Sequence, residues 1–146
     1  MLSRLNYNNV VYHQLPNNVT HRLQRVQLTA ASFVLNRFSS ISDVLKLGWL
    51  TVKYHRDLSL SRIICKALYN AEWSSCLRLD VRPPTFNLRS SSERNLVVSQ
   101  FPGTFQDCAA RLFNSLPKDI KNITDAEGLL RKCKSFHFSS AKSELE

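Results

Sequence analysis

Apolar residues recur at intervals of three and four along much of the chain, which is the spacing of one face of an α-helix. The first such pattern predicts a helix over about 19–36, with a basic outer side that includes Arg22 and Arg25. We expect its buried face to consist of the five apolar residues that share this spacing: Leu23, Val26, Ala30, Phe33 and Val34.

Two more helices are predicted before residue 73. A short one has Ser40 or Ser42 as its N-cap and ends at Gly48. The next, over about 52–72, is apolar around more than half of its circumference, which is typical of a helix at the centre of a domain. Its polar side is a narrow stripe of four residues, His55, Ser59, Arg62 and Lys66. A stripe of this kind suits an ordinary solvated face as well as a contact with phosphates.

The helical spacing is lost between residues 80 and 103. Residues before a proline are driven out of the helical region, so the backbone around Pro83 and Pro84 should be extended. The apolar run 96–98 fits a short extended piece or a lone β-bridge. We expect 81–103 to be an extended basic connection, and the arginines in and beside it to form a flexible arm: Arg78, Arg82, Arg89 and Arg94.

Two helices are predicted after residue 103. In the first, six apolar residues repeat without interruption until Pro117 stops the helix: Phe105, Cys108, Ala109, Leu112, Phe113 and Leu116. The run 124–127 has the spacing of a capping box and opens the second. Gly128 inside that helix should cost about 1 kcal/mol relative to Ala. The polar tail 139–146 should be frayed.

These patterns predict a mainly α protein, a small helical bundle around the central helix of about 52–72. We expect an N-terminal helical unit over 1–80, the extended connection over 81–103, a C-terminal helical pair over 104–138 that packs on the first unit, and the frayed tail. A chain of 146 residues can bury a core of its own without disulfides or metals.

The chain is strongly basic. It has 20 Lys and Arg against 11 Asp and Glu, a formal net charge of +9. Residues 1–100 hold 13 of the cations and 5 of the anions, so any surface that faces phosphates should lie there. Nucleic acid is the first partner class that such a balance indicates, an anionic membrane surface is the second, and plain solubility also explains it. The candidate phosphate contacts are Arg22, Arg25, Arg62, Lys66, Arg82, Arg89 and Arg94.

No motif for catalysis or cofactor binding is present. The six aspartates stand apart, without the Asp-Asp pair that holds two metal ions in polymerases, and there is no phosphate-binding loop or nucleophile elbow. The four cysteines stand singly, with no histidine at a zinc-ligand spacing. We therefore expect no enzyme activity, metal, cofactor or small-molecule substrate.

The chain opens without an apolar run long enough for a signal peptide, and no segment approaches the length of a membrane span. The sequence therefore predicts an intracellular protein, cytoplasmic or nuclear and not secreted, with reduced cysteines and no membrane partner. Trp49 and Trp73 could stack on unpaired bases, although Trp49, between Gly48 and Leu50, fits a core position better.

Three stretches taken in order resemble one family, the polyproteins of LINE-type (non-LTR, jockey-like) retrotransposons. Residues 3–35, SRLNYNNVVYHQLPNNVTHRLQRVQLTAASFVL, resemble the block SRLDYCN…LP…RLQRVQNAAAR…V that follows the reverse transcriptase domain. Residues 47–70, LGWLTVKYHRDLSLSRIICKALYN, are similar to the L-x-W-L-P-V-x-x-R block and its helix. Residues 88–101 and 108–136 are similar to the terminal blocks LRSS…L.VP and A-x-R-L-W-N-S-L-P-x-x-I…F-K-x-x-L-K.

The chain departs from these blocks at a few positions: Leu28, Thr29, Thr51, Phe113 and Gly128. The family's metal-binding aspartates lie in the palm, upstream of the first block, so the resemblance implies descent from an RNA-directed DNA polymerase without that activity. It also implies a role in holding template RNA and target DNA. A helical interaction module that docks on an absent upstream polymerase domain, and a relic without function, remain the alternatives.

Overall fold

A computed structural model describes residues 13–70, 74, 77–82 and 94–144. This part of the chain contains six helices, which we label in chain order: α1 (Asn17–Leu35), α2 (Ile41–Lys46), α3 (Val52–Tyr69), α4 (Phe105–Ser115), α5 (Lys118–Lys121) and α6 (Ala126–Ser143). Among the described residues, pairing of extended backbone is confined to an antiparallel bridge between Val81 and Leu96. The predicted mainly α fold is confirmed.

The helix α1 lies where the sequence placed it, but its predicted buried face is wrong. The buried residues are Gln27 and Ala31, whereas Val26, Phe33 and Val34 are exposed. The helix is therefore rotated by roughly a quarter of a turn relative to the face that its apolar residues predict.

Two glutamines explain this rotation. The Gln27 side chain donates from Nε2 to the carbonyl oxygen of Leu50 at 2.8 Å. Gln24 accepts the N–H of Val52, the first residue of α3, at 3.0 Å, and its own Nε2 donates to Gln27 Oε1 at 2.9 Å. Because buried backbone groups need partners, these amides turn toward the corner before α3 and direct the opposite face of α1 to solvent.

The short helix α2 has well-defined ends. Ser40 is its N-cap and forms a capping box with Asp43, as one of the two predicted caps. At the other end, Gly48 has φ +74° and donates to Leu45 O, while Trp49 donates to Val44 O, which is a Schellman motif. The predicted end at Gly48 is confirmed.

The helix α3 is buried along most of its length, as predicted for the central helix. Its buried residues include apolar and polar side chains: Tyr54, Arg56, Leu58, Leu60, Ser61, Ile64 and Cys65. It ends at Tyr69, three residues before the predicted end. The predicted polar stripe faces outward, with His55 and Ser59 partly buried and Arg62 and Lys66 exposed.

The described parts of the connection 81–103 are extended around the bridge. Arg82 N–H donates to Asn95 O at 2.8 Å and Val97 N–H donates to Asp80 O at 2.9 Å. The Asn114 side chain continues this pattern, because it accepts from Leu96 N–H and donates to Leu96 O. Of the two alternatives predicted for 96–98, a short extended piece or a lone bridge, the structure has the lone bridge, and residues 83–93 lie outside the described residues.

The helix α4 follows its prediction closely. Thr104 is the N-cap and accepts the N–H of Asp107, and the helix ends two residues before Pro117. Most of the predicted apolar face is buried, with Phe113 only 1% exposed.

The helix α6 differs from its prediction at both ends. Its N-cap is Asp125, one residue after the predicted cap, because the Asp125 carboxylate accepts the N–H of Gly128 at 2.6 Å. The expected frayed tail from residue 139 is wrong, since the helix continues to Ser143. Ala141 is buried there, and Lys53 forms an ion pair with Glu144 at 2.6 Å. These contacts hold the last turns in place.

The contacts within the chain define two compact units, residues 1–59 with 134–146, and residues 60–133. The helices α3 and α6 are each divided between the two units. The bounds therefore differ from the predicted division near residue 80. In the first unit, His137 is buried and its ring lies 6.1 Å from that of Tyr54. In the second, the core includes Ile64, Leu96, Phe113, Leu129 and Cys133.

Candidate nucleic-acid interface

Arg22 and Arg25 lie on the exposed side of α1, as predicted. Neither guanidinium has a hydrogen-bond or ion-pair partner among the described residues. On an ideal helix, Arg22 projects within about 60° of Val26, Thr29 and Phe33. We call the surface formed by Arg22, Arg25, Val26, Thr29 and Phe33 the outer face of α1.

The outer face has a uniform charge. The chain holds no Asp or Glu before Asp43, so α1 contains two arginines and no acidic residue. Charges of one sign within a helix attract polyanions over a distance of about 10 Å at ordinary salt. This face therefore has the electrostatic character that a phosphate backbone requires.

A second pair of candidate cations lies on α3. Arg62 and Lys66 are exposed and one helical turn apart, and neither side chain has a partner among the described residues. Ser59, one turn earlier on the same stripe, donates from Oγ to His55 O at 2.9 Å and is thus engaged with its own helix. The stripe offers two cations to a ligand rather than four polar groups.

The three remaining candidates differ from one another. Arg82 is exposed and follows the bridge residue Val81. Arg94 donates to the Tyr69 hydroxyl at 2.6 Å, and its guanidinium lies 5.2 Å from the centre of that ring. The Tyr69 hydroxyl in turn donates to Ile123 O at 2.6 Å. Arg94 thus already supports the fold, and Arg89 lies outside the described residues.

Two exposed aromatic rings, one on α1 and one just after it, are not indicated by the distribution of charge. Phe33 is 89% exposed and Phe38, three residues after α1, is 98% exposed. Of the two tryptophans predicted as possible stacking platforms, Trp49 is half-buried and Trp73 lies outside the described residues. The signal that could have identified Phe33 is its place seven residues after Val26 and eleven after Arg22 on one helical face.

The backbone that carries Phe38 is held against α1. Ser39 donates from its N–H to Ser32 Oγ at 3.0 Å and from its hydroxyl to Leu28 O at 2.8 Å. On the other side, Arg37 donates to Asp43 at 2.8 Å. The Asp43 pKa is lowered to about 2, mainly because its carboxylate accepts the backbone N–H and the hydroxyl of Ser40, with Arg37 adding a smaller effect. Phe38 is therefore exposed on an anchored segment.

Other ionised groups stabilise the second unit. The Arg111 side chain and the Gly103 N–H, in this order, lower the Asp107 pKa by donating to its carboxylate. Lys121 is buried and donates to Asn95 Oδ1 at 3.0 Å. These groups stay occupied within the protein and do not extend the candidate interface.

The cysteines of the described chain are buried thiols. Cys65, Cys108 and Cys133 are unpaired, and burial raises the pKa of Cys65 to about 12 and that of Cys133 to about 11. Across the described ranges, no group of three or more His, Cys, Asp or Glu side chains is placed to hold a metal ion. None of the helices described has the length and apolar character needed to cross a membrane.

The chain was compared with protein-family profiles, with curated proteins and with solved structures, and no match was found in any of the three.

Proposed function

We propose that this protein is a non-catalytic C-terminal segment of a LINE-type reverse transcriptase that binds nucleic acid through sequence-independent phosphate contacts. The ordered resemblance over residues 3–136 supports the ancestry. The binding is supported chiefly by one observation: Arg22 and Arg25 are exposed and unpaired on an α1 face without acidic residues.

The exposed pair Arg62 and Lys66 adds a second cationic position to this proposal. Contacts of arginine and lysine with phosphate oxygens fix a nucleic acid in place but do not read its bases. Each phosphate that is neutralised releases condensed counterions, so the affinity depends on salt concentration rather than on sequence. Binding of this kind would hold RNA or DNA near an active site located elsewhere.

A salt titration with charge variants tests the binding. The affinity for a fluorescent 20-base-pair DNA duplex is measured by anisotropy at several salt concentrations, for the wild-type chain and for Arg22→Gln/Arg25→Gln. We expect the slope of log affinity against log salt to become shallower by about 0.9 for each phosphate that the variant no longer neutralises. The same experiment on Arg62→Gln/Lys66→Gln measures the second position.

The matched control is Lys134→Gln/Lys142→Gln, which removes the same net charge from two exposed lysines of α6. If binding is localised as proposed, this control keeps the wild-type slope. An absence of binding by the wild-type chain, or a slope that is insensitive to the α1 and α3 variants, would reject the proposed interface.

The ancestry has a separate test in the DNA upstream of the Met1 codon. We expect a palm coding sequence there with its Phe/Tyr-Ala-Asp-Asp box, either in frame or interrupted. An upstream region that encodes an unrelated protein would contradict the proposed descent.

A helical interaction module is the second candidate, and the exposed rings favour it. The apolar faces of α4 and α6 are largely buried within the chain, with Cys108, Phe113, Leu129 and Cys133 all below 9% exposure. A protein partner would therefore cover Phe33 and Phe38 rather than the C-terminal pair. Light scattering tests this second candidate, because an apolar docking face left open should cause self-association, and a monomeric chain would contradict it.

A further inference from the structure

Phe33 and Phe38 are apolar rings in a cationic setting, and the proposed phosphate contacts do not use them. A large ring that is 89% or 98% exposed forgoes the free energy that burial would provide, so each is a candidate for contact with a ligand. Isolated exposed apolar residues are common on protein surfaces. These two differ because they lie at one end of an acid-free helix that also carries Arg22 and Arg25.

One contact holds the backbone next to both rings. Ser32 and Ser39 approach each other to 2.9 Å between their hydroxyl oxygens, and Phe33 and Phe38 are the residues next to them in the chain. Phe38 is further held between Ser39 and Arg37, both of which have partners. Because the backbone on either side of the rings is already held, it loses little entropy on binding, which favours the use of this end of α1 as a contact surface.

The charge of the outer face selects the kind of ligand. Arg25 precedes Phe33 by eight residues, or about 12 Å along the helix axis. A ligand that spans the face would thus meet positive charge at one end and aromatic surface at the other. Single-stranded nucleic acid offers both complements, since its phosphates are negative and its unpaired bases present open π-faces. A duplex keeps its bases stacked inside and would place phosphates or grooves against the rings.

We propose that the outer face of α1 together with Phe38 is a binding surface for single-stranded nucleic acid, on which Phe33 and Phe38 stack with unpaired bases while Arg22 and Arg25 contact the phosphates. This inference rests on the proposed nucleic-acid binding and adds that the strand is unpaired. It also assigns a role in binding to two aromatic residues, which the distribution of charge alone does not indicate.

The test compares a fluorescent oligothymidylate of 20 nucleotides with a duplex of equal length at one salt concentration. For Phe33→Ala and Phe38→Ala we expect the single-strand affinity to fall by about fivefold to a hundredfold each. Duplex binding should change by less than twofold. Both side chains are almost fully exposed, so these variants should fold normally, which circular dichroism checks.

Two further variants isolate stacking from apolar contact. Phe38→Tyr keeps the π-system and should retain the single-strand affinity, whereas Phe38→Leu keeps apolar surface without a ring and should lose it. Phe101→Ala is the matched control, because Phe101 is also exposed, at 71%, but belongs to the other compact unit. It should bind the single strand like the wild-type chain.

The outcomes separate this inference from the function on which it rests. Salt-dependent binding of duplex and single strand alike, unaffected by the phenylalanine variants, would overturn the stacking surface and leave the phosphate contacts standing. No binding to either oligonucleotide would remove both. Two results together would assign the rings to a protein interface and reject the inference: self-association that Phe33→Ala abolishes, and a single-strand affinity of Phe38→Leu equal to that of the wild-type chain.

Discussion

The helices α1 and α4 are both amphipathic by sequence, yet they place their apolar residues in opposite ways. In α4 the predicted face is buried, and Phe113 lies in the core of its unit. In α1 much of the predicted face is turned outward, and Phe33 is exposed on a helix that also carries two exposed arginines. The difference lies in the polar residues, because Gln24 and Gln27 of α1 have backbone groups to satisfy and α4 has no comparable pair of glutamines within its described range.

This comparison shows that apolar periodicity locates a helix more reliably than it orients one. A buried amide that pairs with a backbone carbonyl avoids a desolvation cost of about 1–3 kcal/mol, which is comparable with the burial of one apolar side chain. Once two glutamines face inward, the apolar residues on the other side become available to a ligand. An apolar face of a helix can thus be exposed because polar side chains on its other face need buried hydrogen-bond partners.

The largest expected effect comes from replacing the two phenylalanines that define the comparison. Phe113→Ala removes a buried ring and should lower the free energy of unfolding by about 3–5 kcal/mol. Phe33→Ala removes an exposed one and should change it by less than about 0.5 kcal/mol. Urea denaturation followed by circular dichroism measures both, and equal losses for the two variants would refute the assigned faces.

The next effect concerns the glutamine that orients α1. Gln27→Ala leaves the Leu50 carbonyl without its donor in a buried site and should cost about 1–3 kcal/mol. Thr29→Ala on the outer face is the control and should lie within about 0.5 kcal/mol of wild type. A Gln27 variant as stable as the control would show that this side of α1 does not face the core.

A smaller effect depends on pH in the first unit. Burial lowers the pKa of His137, and the charge of Asp57 opposes this only in part. The folded state therefore binds fewer protons than the unfolded chain just below pH 6.5, so stability should decrease as the pH falls through that value. Urea midpoints at about pH 7.5 and about pH 5, on either side of the ordinary histidine pKa, should differ less for His137→Gln than for wild type. An equal difference in both would rule out His137 as the cause.

The smallest effect is expected at Gly128 in the first turn of α6. Helix propensity alone would make Gly128→Ala more stable by about 1 kcal/mol. A Cβ there would lie 3.0 Å from the Asp125 carboxylate that caps the helix, so the neighbour must shift. We expect a net gain of less than about 0.5 kcal/mol in thermal unfolding, because crowding of the cap offsets the gain in propensity. A gain of the full value of about 1 kcal/mol would show that Asp125 moves aside without weakening the cap.

The features that could be predicted from the sequence are those with local causes. Thr104 and Pro117 bound α4 through contacts within a few residues, and Ser40 caps α2 in the same way. The orientation of α1 could not be predicted, since it depends on partners 23 and 28 residues away. The ion pair beside the last turn of α6 joins Lys53 and Glu144, which are 91 residues apart.

The same distinction between local causes and distant contacts applies to the candidate site. The number and position of the cations could be counted, and Arg22, Arg25, Arg62 and Lys66 are exposed as a phosphate contact requires. The engagement of Arg94 with Tyr69 is a tertiary contact that no local pattern indicates. The exposure of Phe33 could not be predicted either, because it follows from the orientation of α1, which depends on partners distant in the sequence.

Amide chemical-shift mapping by NMR tests the central claim most directly. When a single-stranded oligonucleotide is added to the ¹⁵N-labelled chain, we predict that the largest shifts occur between Arg22 and Phe38, with smaller ones around Arg62 and Lys66. Shifts confined to α4 and α6, with residues 22–38 unchanged, would contradict the assignment of the outer face of α1 as the binding surface.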